Sequence, residues 1–318
     1  MRKRGAPTAQ ATVAKSEFRK TLVKIDRYRS LYFFLMLAAA WYIVFKYIPL
    51  YGITLAFKDF SYADGIFGSD WVGFKYFKTF ITNPEFWNMV LNTVKISVLK
   101  LCFGFPAGVI FALMLNEITH SASKRVMQTI SYLPHFVSWV VIVSIMNKFL
   151  SPYGGFINEI RGSFGYEPVF FMGEPGWFYP LVLISQIYKE VGWSSIIYLS
   201  AISGVDQELY EAARVDGAGH MRCIWSITIP CILPTIVLQF LLSVGNLMHA
   251  GFDQIYLMSN AANSHLSNVL DVYGIEVGIK GGKFSLATAV GLFQSVISFI
   301  LVISANAISK RVSEISLW

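Results

Sequence analysis

Charge is what this chain has least of. Asp, Glu, Lys and Arg make up 14% of its 318 residues, against 55% hydrophobic ones. That balance excludes an ordinary soluble domain and points to a polytopic membrane protein. Cysteine is scarce as well. Cys102, Cys223 and Cys231 are the whole set, too few and too scattered for a disulfide framework. A phosphate-cradling loop of the form Gly-x4-Gly-Lys-[Ser/Thr] is missing: before Gly282-Lys283 the required Gly is Val277, and the Ser/Thr position holds Phe284. The histidines at 120, 135, 220, 249 and 265 show no ligand-like pairing for a metal. No Ser/His/Asp set stands out, and no internal repeat supports an inverted-repeat carrier. The chain reads as one without a catalytic site.

What it does have is long apolar runs. A span needs about 20 mostly apolar residues, and such runs occur at 31–56, 90–116, 126–149, 178–203, 229–250 and 284–308. Six transmembrane helices are expected, since an isolated strand would leave backbone groups unpaired in hydrocarbon. Span three carries Pro134, which is expected to weaken or kink it.

The net charge of +7 is distributed by side rather than along a nucleic-acid face. With an even number of spans both ends share one side. Residues 1–30 hold nine Lys or Arg, joined there by Lys124, Arg125, Arg214, Arg222, Lys310 and Arg311. The opposite loops hold six, spread over longer stretches. The positive-inside rule puts both termini and the 204–230 loop in the cytoplasm. The first apolar run is too long for a signal h-region and no small-residue cleavage site follows, so no cleavable signal is expected. Residues 8–29 read as a basic arm resting on anionic headgroups, or equally as a solvated tail. On the external side, Phe74, Phe77, Phe80 and Ile81 recur at helical spacing beside Lys75 and Lys78, which predicts a short interfacial helix ended by Asn83-Pro84.

The polar excursion over 204–230 is the most informative stretch. Asp206 is placed to N-cap a helix, with Glu208 and Glu211 in its first turns where the dipole favours acids. Ala212 and Ala213 favour helix and leave a low-profile surface. Asp216-Gly217 is a turn signal, and a second short helix is expected through Ile224 and Trp225 up to Pro230. By composition alone this is as readily an amphipathic loop helix on the membrane surface.

The spacing Glu211-Ala212-Ala213, then Asp216-Gly217-Ala218, then Pro230 resembles the "EAA" loop of binding-protein-dependent ABC importer permeases. Ile224 stands where that family usually has Phe, and Asp206 where Pro is common. The likeness extends through Asn92-Thr93, the Pro134 region and 285–311, covering about 88–311. Segments 51–60, 71–74 and 132–140 and the Leu317-Trp318 ending resemble a carbohydrate-uptake branch. The resemblance implies an all-α, MetI-like permease core in the bacterial cytoplasmic membrane. It implies an arm at 1–30, a first helix and external segment over 31–87, the core with its coupling loop at 204–230, and a tail at 312–318. Glu211, Ala212, Ala213, Asp216, Gly217, Ala218, Ile224 and Pro230 would engage the ATPase. ATP and Mg would be bound by that partner ATPase, with no cofactor in this chain. A second permease subunit, an external sugar-binding protein and an oligosaccharide complete the implied assembly, within membrane lipid and without nucleic acid. A non-sugar cargo, or an ion-driven carrier, is the alternative.

Polar side chains inside spans turn toward partners or a water-filled cavity. Gln186, Glu190 and Trp193 follow i, i+4, i+7 spacing beside Tyr188, combining amide, carboxylate and aromatic groups suited to a sugar. Gln239, Ser243 and Asn246 form a second stripe. These seven are the candidate substrate-pathway residues; interhelical glue is the bland reading of the same stripes.

Overall fold

The structure, a computed structural model, describes residues 27–312 and 316–317. The arm expected over 1–30 therefore lies outside the described residues as far as residue 26, as do 313–315 and Trp318 of the tail. The chain divides into two units, one ending at Thr54 and the other beginning at Leu55. In the first, α1 (Arg29–Tyr42) runs into a π-helical turn (Ile43–Tyr47) and the start of a 3-10 run (Ile48–Phe57) that crosses the boundary. Pro49 lies at that change of pitch, where its missing N–H interrupts the α-helical ladder.

The second unit opens with a two-residue antiparallel pair, β1 (Lys58–Asp59) against β2 (Asp70–Trp71). Lys58 is buried and donates to the carbonyls of Ile66 (2.8 Å) and Phe67 (3.1 Å), tying the loop between the strands together. Asp59 accepts from Lys75 Nζ at 2.7 Å and from the Tyr76 hydroxyl. The Lys75 bond, helped by Tyr76, holds the Asp59 carboxyl below its usual 3.8. Burial and the bond to Asp59 push the Tyr76 hydroxyl up to about 12. Both residues of that pairing frame α2 (Lys75–Ile81), the expected external helix. Its Phe80 is not an interfacial anchor, however. It is fully buried among Phe86, Met89, Leu270 and Val290, because a ring at that position faces the bundle and not the lipid.

Next come α3 (Phe86–Leu99), a π-helical turn (Lys100–Gly104) and α4 (Phe105–Asn116), together one apolar helix of 31 residues. Asn92 and Thr93 stitch it to the segment before the last helix: Asn92 donates to the carbonyls of His265 and Asn268, and Thr93 Oγ1 accepts from Leu270 N.

Span three is not continuous. α5 (Ser121–Tyr132) ends in a 3-10 turn, Leu133–Phe136, and α6 (Trp139–Phe149) departs at 99°. Pro134 blocks the helical ladder, Val137 is extended, and Ser138 caps α6 by accepting from Val141 N. The expected weak point at Pro134 is there, and the proline turn with a fresh N-cap takes it to a break between two helices.

After α7 (Phe156–Ser163), α8 (Pro175–Ser203) is an unbroken helix of 29 residues. Two glycines let neighbours approach closely. A Cβ on Gly192 would lie 2.0 Å from the Ser131 carbonyl oxygen, and one on Gly108 would lie 2.4 Å from Ser194 Oγ. The elbow α9 (Gln207–Val215) follows, then α10 (His220–Cys223), a π-helical turn (Ile224–Thr228) and α11 (Ile229–Val244). The segment that follows includes α12 (Phe252–Met258) and α13 (Leu270–Ile275), and α14 (Phe284–Val312) is the last helix of the described residues.

Among the described residues, four helices are long and apolar enough to cross a membrane, or five if the bent pair counts as one span. α8 is long enough but less apolar, since Gln186, Lys189 and Glu190 interrupt it. Among the described residues, the regular elements are all helical apart from the β1–β2 pair.

Candidate functional site

The elbow is built by local rules. Asp206 caps α9 by accepting from Glu208 N at 3.0 Å. At the other end Gly217 has φ +77°, Ala218 N donates to Ala213 O at 2.8 Å, and Gly217 N donates to Arg214 O at 3.0 Å. These two bonds are the Schellman pattern, which requires a left-handed residue that glycine supplies without strain. Glu211, Ala212, Asp216, Gly217 and Pro230 are exposed, while Ala213, Ala218 and Ile224 are half-buried. Leu209, Val215, Met221 and Trp225 add exposed apolar surface around them. The predicted second helix does not stop at Pro230. His220–Val244 is one helix of 25 residues, and Pro230 sits in the first turn of α11. The wide turn at Ile224–Thr228 accommodates the missing proline N–H, so the helix continues.

The elbow's base is anchored. Tyr210 packs on Ala112, Leu115, Tyr198, Leu199, Ile202, Val205 and Ile232, a cluster joining α4, α8 and α11. His220 Nδ1 lies 3.0 Å from Glu117 Oε2, linking the start of α10 to the end of α4.

Adjoining that cluster, with Tyr198 common to both, lies a cavity of about 970 Å³. Gln186, Glu190 and Trp193 of α8 line it, as do Gln239 and Ser243 of α11 and Asn246 just past its end. Tyr188 does not line it. Two residues on from Gln186 it is rotated about 200° around the helix and is exposed on another face. Lys189 is not a cavity group either: it is buried and donates to the carbonyls of Pro134, His135 and Val137, capping the broken end of α5.

The sequence reading missed three groups here. Lys100 lines the cavity and donates to Ala250 O (2.7 Å) and Gln254 Oε1 (2.6 Å); Gln254 in turn donates to Val182 O and Ser185 Oγ. A lone lysine in an apolar run was the available signal. His249 lines the cavity mouth and donates to Asp271 Oδ1 at 3.1 Å, while Gly251 N and Gln294 Nε2 also donate to Asp271. His135 donates through Nδ1 to Glu190 Oε2 at 2.8 Å and stacks on Trp193 at 4.3 Å between centroids and 3° between planes. Only the position of His135 after Pro134 hinted at it. Among the described residues no cluster of His, Cys, Asp or Glu could hold a metal ion.

An all-helical bundle with a protruding capped elbow and a polar cavity between the helices flanking it defines a membrane permease subunit. Residues 104–314 match the family model described as binding-protein-dependent transport system inner membrane component, and the chain belongs to that family. It is 41% identical over 317 residues to Protein LplB of Bacillus subtilis (strain 168), covering 100% of this chain and 98% of that one. It is also 41% identical over 310 residues to the polygalacturonan/rhamnogalacturonan transport system permease protein YteP of the same organism, covering 97% of each. Among solved structures, a chain of a bacterial ABC transporter involved in the import of the acidic polysaccharide alginate superposes with a TM-score of 0.83 at 35% identity. That match covers 92% of this chain and 99% of the other. The same transporter type has been solved in complex with an alginate pentasaccharide-bound periplasmic protein.

Proposed function

We propose that this chain is a transmembrane subunit of an ATP-driven importer that passes an oligosaccharide, delivered by an external binding protein, across the bacterial cytoplasmic membrane. Six spans with both termini cytoplasmic fit the excess of Lys and Arg on the elbow's side. The broken α5–α6 pair and the less apolar α8 serve as the two spans that length and apolarity alone leave out. ATP and Mg belong to the partner ATPase, a second permease completes the pathway, and this chain has no hydrolytic role. The relatives named for polygalacturonan/rhamnogalacturonan and alginate support a carbohydrate cargo over other solutes.

One observation carries the reading: the elbow is joined directly to both helices that bear the two polar stripes of the cavity. α8 ends at Ser203, three residues before the Asp206 cap, and bears Gln186, Glu190 and Trp193. α10 runs through the wide turn into α11, which bears Gln239 and Ser243. Closure of the ATPase pair would draw the elbows together and tip both walls as rigid bodies, switching the cavity between its two openings. The loaded binding protein must favour the outward-open state for transport to be productive.

Gly217→Pro tests the reading. It removes the donor to Arg214 O and the left-handed turn while leaving every span intact. The variant is expected to insert normally, with saccharide-stimulated ATPase activity and uptake no longer linked. Unchanged stimulated turnover in proteoliposomes would overturn the coupling role.

A further inference from the structure

We propose that His135 is a positioning residue of the cavity, holding the Trp193 ring and the Glu190 carboxylate in the arrangement that receives a saccharide. This rests on the reading of the cavity as a sugar pathway.

Three observations converge on it. His135 belongs to the 3-10 turn Leu133–Phe136 of the broken span, while Trp193 and Glu190 belong to α8. Its ring lies parallel to the Trp193 indole at 4.3 Å, covering one face. Phe136 meets the same indole edge-on at 5.5 Å and 83°. Trp193 is thus gripped from the break, and its remaining surface, 44% exposed, is what the cavity sees. The same imidazole fixes Glu190. A carboxylate only accepts, so Nδ1 carries the proton and donates to Oε2 at 2.8 Å. One ring therefore orients the aromatic plate and the acid together.

The turn that carries His135 is itself held in place. Lys189, beside Glu190 in sequence, donates to the carbonyls of Pro134, His135 and Val137. α8 grips the break through its backbone by Lys189, through a hydrogen bond by Glu190 and through a stack by Trp193. In a cavity of about 970 Å³ a free Trp and a free Glu would each sample several rotamers. Freezing them on binding weakens affinity, and an arrangement set beforehand avoids that loss.

Two variants separate the tasks. His135→Phe keeps a ring over Trp193 and removes the bond to Glu190; His135→Gln keeps a donor and removes the ring. Binding of labelled oligogalacturonates to the assembled transporter in nanodiscs is measured for both, for Glu190→Gln, and for His135→Phe combined with Glu190→Gln. Each His135 variant is expected to weaken binding about tenfold, the cost of ordering one or two side chains. Adding Glu190→Gln to His135→Phe is expected to cost less than Glu190→Gln does alone, since the carboxylate has already lost its orientation. A second arm needs no sugar. With 5-fluorotryptophan incorporated, the fluorine line of Trp193, identified by its loss in Trp193→Phe, is expected to be narrow in the wild type and broadened in His135→Gln. If the wild type binds no oligogalacturonate while the fluorine line behaves as expected, the pre-ordering stands and the cargo reading falls. If sugar binds and the His135 variants match the wild type, or the line does not change, the positioning role is overturned. A mere prop for the break is also distinguishable: it would lower the yield of folded protein in both variants without the coupling to Glu190.

Discussion

Tyr210 of the elbow and Thr228 at the root of α11 share a hydrogen bond of 2.9 Å across 18 residues of chain. The bond closes the elbow on itself, so that a force applied to α9 reaches the cavity-bearing helix by a second route besides the covalent one. Thr228 is buried there, beside the packed cluster of α4, α8 and α11.

Tyr210→Phe is expected to keep the ring's packing and lose this bond, at a cost of about 1 kcal/mol to the elbow. The readout is saccharide moved per ATP hydrolysed in proteoliposomes, which should fall while the amount of inserted protein stays the same. An unaltered ratio would show that the covalent path suffices.

Close helix approach predicts a contrast between two glycines. Gly192→Ala puts a methyl 2.0 Å from a backbone oxygen of α5, so the helices must separate, at about 1–3 kcal/mol. Gly291→Ala on α14 meets nothing within 4 Å and improves helix propensity, so it should be neutral or stabilising by about 0.5–1 kcal/mol. Thermal unfolding in nanodiscs separates them; equal midpoints would refute the packing argument.

Lys189→Met removes the donor that the carbonyls of Pro134, His135 and Val137 share. Buried acceptors left unpaired cost about 1–3 kcal/mol. Protease cleavage within 133–138 should become faster than in the wild type, with α8 still inserted. Resistance equal to the wild type would mean the break is held by side chains alone.

The β1–β2 strand pair has an acid limit. The Asp59 carboxyl is held below 3.8 by Lys75 and Tyr76, so the charged form is favoured in the folded state. Its contribution is complete above pH 3.8 and is lost as pH falls through the lowered value. Protection of the amides over 58–76, relative to their intrinsic exchange rate at each pH, should fall in acid for the wild type. In Asp59→Asn that protection should be low throughout and change little with pH.

Much of this arrangement was legible because helical periodicity is a strong signal. Spacing of four and seven puts Gln186, Glu190 and Trp193 on one side of α8, and they do line one cavity. The same rule sets Tyr188 about 200° around the helix from Gln186, off that side. The Asp206 cap and the Gly217 turn follow from short-range chemistry and needed no knowledge of the fold. Pro230 misled because a proline reads as a stop, whereas a wide turn ahead of it lets the helix pass. Pro134 was legible as the weak point of its helix, and the cap at Ser138 with a lysine from another helix on the turn's carbonyls takes the bend to 99°. Lys189 and His135 were illegible because their roles depend on partners more than 50 residues away.

The length of α8 has a mechanical outcome of its own. Its 29 residues make a rod of about 43 Å, against a hydrocarbon slab of about 30 Å. Tilt takes up part of the mismatch and the rest emerges as overhang. Because the elbow hangs from the end of that rod, in the proposed importer the overhang would act as a stand-off, giving a bulky soluble motor clearance from the headgroups.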